Sequence, residues 1–98
     1  MLDAVRRMEF RGKVEAEADA AEQMRDSVTD PVLKARFHLL ALQIREIARV
    51  FLDQVDTRTD LQERSWLNGA EMALDIHASE LANLTRLVER YGGDPQFT

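Results

Sequence analysis

A chain of 98 residues has room for one hydrophobic core, and 45% apolar with 32% charged residues is the balance of a folded domain rather than a disordered tail. The net charge of −5 excludes the dense basic surface that releases counterions from nucleic acid, so direct nucleic-acid binding is not expected. Cysteine is absent, which excludes disulfides and thiolate chemistry and fits a reducing cytosol.

From Met1 the chain runs straight into charged helical sequence with no apolar signal core, and its longest apolar stretch, Phe37 to Ile44, is broken by His38 and Gln43. The sequence therefore predicts a cytoplasmic protein with no membrane span.

The first predicted helix covers about residues 3–28. Phe10, Val14, Ala21, Met24 and Val28 form an apolar stripe with a gap at Glu17, and Glu15, Asp19, Glu22 and Asp26 form an acidic stripe on another side. Gly12 is a point where this helix could divide into a short arm and a main piece. Asp30-Pro31 reads as an N-cap followed by proline at the first helical position, where the missing N–H costs nothing.

The second helix, about 31–56, has the clearest period: Leu33, Phe37, Leu40, Ile44, Ile47 and Phe51 alternate spacings of four and three. Val32, Ala35, Leu39 and Leu42 add a second apolar face over its first half. A helix apolar on two sides needs two neighbours, so this one is expected at the centre. Thr59 and Gln62 have the spacing of a capping box and open the third helix, about 59–91. Leu67, Ala70, Leu74, His77, Leu81, Leu84, Val88 and Tyr91 keep a three-four seam through the turn-like pair Asn68-Gly69, which favours one continuous helix. Gly92-Gly93 and Asp94-Pro95 then end it, leaving a tail of residues 92–98. The expected fold is all-α: three long helices in an antiparallel up-down-up bundle with coiled-coil-like packing, since short connections make sequential helices antiparallel neighbours.

Folding about Thr29 and Arg58 brings Glu17, His38 and His77 to similar heights, with Glu80 one turn beyond His77. Two imidazoles and one or two carboxylates in a bundle could hold a metal; the competing reading is a buried histidine paired with a carboxylate such as Glu17. Arg6, Arg7, Arg11 and Lys13 cluster near the N-terminus, offset by Glu9 and Glu15. Phe10, Phe51 and Trp66 fall at one end of the bundle, either as a cluster capping the core or as a partner-binding hot spot. No nucleophile setting and no phosphate-cradling glycine loop is present, so the sequence points to no catalytic residue, no enzyme and no cofactor.

The stretch from Thr29-Asp30-Pro31 to Phe51 resembles the helix-turn-helix of ferritin-like proteins, which carry a Glu-x-x-His pair on such a helix. No histidine follows Glu46 here, so the resemblance implies a helical fold and no iron chemistry. Nor is Trp66-Leu67-Asn68-Gly69 the Trp-x-Gly turn of the secreted helical hairpins of type VII systems, and no family is assigned.

Surplus apolar residues outside the seams, Met72 and Ile76 above all, lead to the expected function. It is a non-enzymatic module for protein contacts that self-associates as a homodimer or higher oligomer, with Trp66, Met72, Ile76, Phe51 and Phe10 as candidate interface residues. An adaptor, inhibitor or small regulator of bacterial or phage type, with another protein as partner, would suit it. Two alternatives stand beside it: a ligand- or metal-binding bundle using His38, His77, Glu17 and Glu80, and an acidic decoy for a nucleic-acid-binding protein.

Overall fold

The computed structural model describes residues 4–52 and 60–91, and all but the turn between the first two helices and Tyr91 is α-helical. Three helices follow in order: α1 (Ala4–Ser27), α2 (Pro31–Leu52) and α3 (Asp60–Arg90). The expected turn at residues 57–59, the end of the second helix at 53–56 and the tail 92–98 lie outside the described residues.

The turn between α1 and α2 is built as its sequence dictates. Asp30 Oδ1 accepts a hydrogen bond from the Val32 N–H at 3.2 Å, and the Asp30 carbonyl accepts the first helical bond from Lys34 N–H at 2.9 Å. At the other side of the turn, carbonyls left free by the end of α1 are taken by side chains. Lys34 Nζ reaches the Arg25 carbonyl at 3.1 Å and Ser27 Oγ the Met24 carbonyl at 2.9 Å. Neither glycine breaks a helix: α1 runs through Gly12 and α3 through Gly69.

The helices pack up-down-up. One layer of the core joins Phe10, Val14 and Ala18 of α1 to Ile44 and Ile47 of α2 and Leu67 of α3. A second joins Ala21 and Val28 to Leu33, Phe37 and Leu40, with Leu81 from α3. From the first layer to the second, numbering rises along α1, falls along α2 and rises along α3, which is the antiparallel order. The α2 stripe is buried at every position from Leu33 to Ile47, and Phe51 at its end is half-buried. On α3 the seam is buried from Leu67 to Leu81 except at His77, and thins to half-buried Leu84 and Val88.

Two expectations are corrected here. The gap in the α1 stripe is filled by Ala18, fully buried one turn after Val14, and Glu17 stands half-buried beside it. Second, α2 does touch both other helices, but both sit on its Leu33–Phe51 stripe. Ala41 and Ala48 widen that stripe enough to seat two neighbours, and the second apolar face is left outside.

Candidate protein-interaction surface

The outer side of α2 carries an apolar face that the packing does not use. Val32 keeps 67% of its surface, Leu39 51% and Leu42 52%. At 3.6 residues per turn these three and Ala35 share one face, whose centre lies roughly 160° around the helix from the core stripe. Pro31, Val32, Ala35, Arg36 and Leu39 line a shallow, almost wholly apolar depression on it. Isolated exposed leucines are ordinary, whereas here the exposed apolar residues share one helix face. On α3, Met72 and Ile76 keep 67% and 59% of their surface on successive turns, and Leu87 is exposed further along. Polar Glu80 and exposed Asn83 interrupt that line, so the α3 patch is the shorter one.

The other candidate interface residues have structural work. Phe10 is buried in the core. Phe51 and Trp66 are both half-buried and pack on each other with ring centroids 5.2 Å apart at 49°. These three cap one end of the core, so of the sequence-derived interface set only Met72 and Ile76 are exposed.

The histidine layer does not assemble. His38 is exposed, and its Nδ1 accepts a hydrogen bond from Arg25 Nη1 at 2.9 Å, which occupies the lone pair a metal would need. His77 is half-buried rather than mostly buried, and its Nδ1 donates to the Ala73 carbonyl one turn back at 2.8 Å; it is not paired with Glu17. Glu80 is exposed. Among the described residues no three histidine or acidic side chains gather as a metal site.

The acidic stripe of α1 has an internal partner that the sequence reading missed. Arg45 of α2 lies 2.8 Å from Glu22, 3.0 Å from Asp19 and 3.8 Å from Glu15, three carboxylates on three successive turns around one guanidinium. The Arg45 hydrogen bond holds the Glu22 carboxyl below its ordinary pKa, and Glu22 in turn raises Arg45. Asp26, the fourth member, pairs with Arg25 at 3.0 Å. A signal was available: folding about Asp30 puts position 15 level with position 45. A stripe engaged in this way is a clasp between α1 and α2, which removes the main support for an acidic decoy. Of the basic cluster, Arg6 reaches Glu71 at 3.0 Å and Asn68 at 2.9 Å and ties α1 to α3, while Arg11 and Lys13 stay exposed.

Among the described residues no helix is long and apolar enough to cross a membrane. The chain matches no family model, and no curated protein or solved structure is significantly similar to it.

Proposed function

We propose that this protein is a non-enzymatic helical module that self-associates and acts through protein contacts. The observation that carries the reading is the outward face of α2, where Val32, Leu39 and Leu42 stay more than half exposed although the core is complete without them. Covering such a face gains roughly 25 cal/mol for each Å² of apolar surface removed from water, the same driving force that closes the core.

Sedimentation equilibrium from micromolar to roughly 100 μM, the range where modest apolar interfaces form, tests the reading. A mass rising toward twice 11.2 kDa is the expected result. A constant monomer mass over that range would contradict it.

A further inference from the structure

The outer face of α2 is more regular than a patch. Val32, Ala35, Leu39, Leu42, Glu46 and Arg49 alternate spacings of three and four, the period of a helix-pairing seam, on the side opposite the core. All six are exposed, and Glu46 and Arg49 pair with each other within the helix. Beside this seam stands Arg36, exposed and in no ion pair among the described residues.

We propose that the occupant of this face is a second copy of the chain, with α2 packed antiparallel on α2 about a two-fold axis level with residues 40 and 41. The inference rests on the self-association reading and adds its geometry. Self-complementary charge is the argument. In a parallel pair identical residues meet in each layer, so Glu46 faces Glu46 and Arg49 faces Arg49, two repulsive layers in succession. In the antiparallel pair each residue meets the one whose number completes a sum near 81. Leu39 then meets Leu42 of the second copy, twice by symmetry, and makes the apolar centre. Ala35 meets Glu46, which sets the Glu46 carboxylate beside Arg36 of the other copy. Val32 meets Arg49, whose aliphatic stem can cover it while the guanidinium reaches water.

A standard interface buries about 800 Å² per partner, roughly an eighth of the 6300 Å² this chain exposes, and α2 is 22 residues long, or about 33 Å of contact line.

Arg36→Glu and Glu46→Arg test the geometry, each alone and mixed, with mass read by sedimentation and helicity by circular dichroism. Alone, each variant sets two like-charge contacts in the dimer and weakens association by roughly tenfold or more. Mixed in equal amounts, they form a heterodimer with both contacts opposite in sign, and association returns toward the wild-type value. The absence of cysteine allows a second, independent reading. Leu39→Cys mixed with Leu42→Cys should cross-link between chains under oxidation far more than either variant alone. Charge variants that associate like the wild type, or self-cross-linking of Leu39→Cys that exceeds the mixed product, would overturn the antiparallel arrangement while leaving self-association standing. A wild-type chain that stays monomeric but binds a different protein through this face would overturn both.

Discussion

Arg45 carries the clearest electrostatic prediction. With Glu22 depressed in the folded state, its contribution to stability is present above the ordinary carboxylate range and is lost as pH falls through the folded value. Arg45→Gln should therefore lower the melting temperature near pH 7. The gap to wild type should close as pH falls below the ordinary carboxylate range and on through the lowered Glu22 value; thermal melts at several pH values check this, and a gap that widens in acid would contradict it. Gly69→Ala and Gly12→Ala should each stabilise the fold by up to about 1 kcal/mol in urea unfolding. A Cβ at Gly69 would sit 3.8 Å from Phe51, an ordinary contact, and at Gly12 it would meet nothing within 4 Å. At His77, leucine should leave the melting temperature equal or higher, since only a half-buried ring bonded to its own helix is lost; a large drop would show that the imidazole holds more than the Ala73 carbonyl. The histidines show where sequence reasoning stops. Helical numbering placed His38 and His77 at similar heights, but height along an axis does not fix direction around it, and His38 stands on the outer side facing Arg25.

For the elements, strong periodicity was enough. The α2 and α3 seams, the Asp30-Pro31 start and the continuity of α3 through Gly69 were all legible, because each rests on spacing or on local backbone chemistry. The α1 stripe was less so, since alanines at 16, 18, 20 and 21 give no volume by which to choose the buried one, and Ala18 is selected by its packing against α2. The central position of α2 holds, but both neighbours sit on its Leu33–Phe51 stripe and the second apolar face stays outside. Sequence shows that a face is apolar, but not whether its cover comes from the same chain. Phe37, wholly buried between α1 and α3, gives the test of the core: Phe37→Ala should cost about 3–5 kcal/mol in urea unfolding. Since domains of this size hold only about 5–15 kcal/mol, a loss below about 1 kcal/mol would mean that the packing differs from that described.

The whole molecule is a rod, 51 × 17 × 17 Å, with a radius of gyration of 15.7 Å where a compact domain of 100 residues has about 13 Å. A rod has more surface for its volume, and this one leaves an apolar line along one side where a second rod can lie. The central claim is that this line is a contact surface and not part of the core. Leu39→Glu tests it most directly, with sedimentation mass and helical circular dichroism measured on the same sample. The account predicts unchanged helicity together with a fall to the monomer mass of 11.2 kDa at concentrations where the wild-type chain is larger. A variant that loses its helical fold, or one that keeps the wild-type mass, would contradict it.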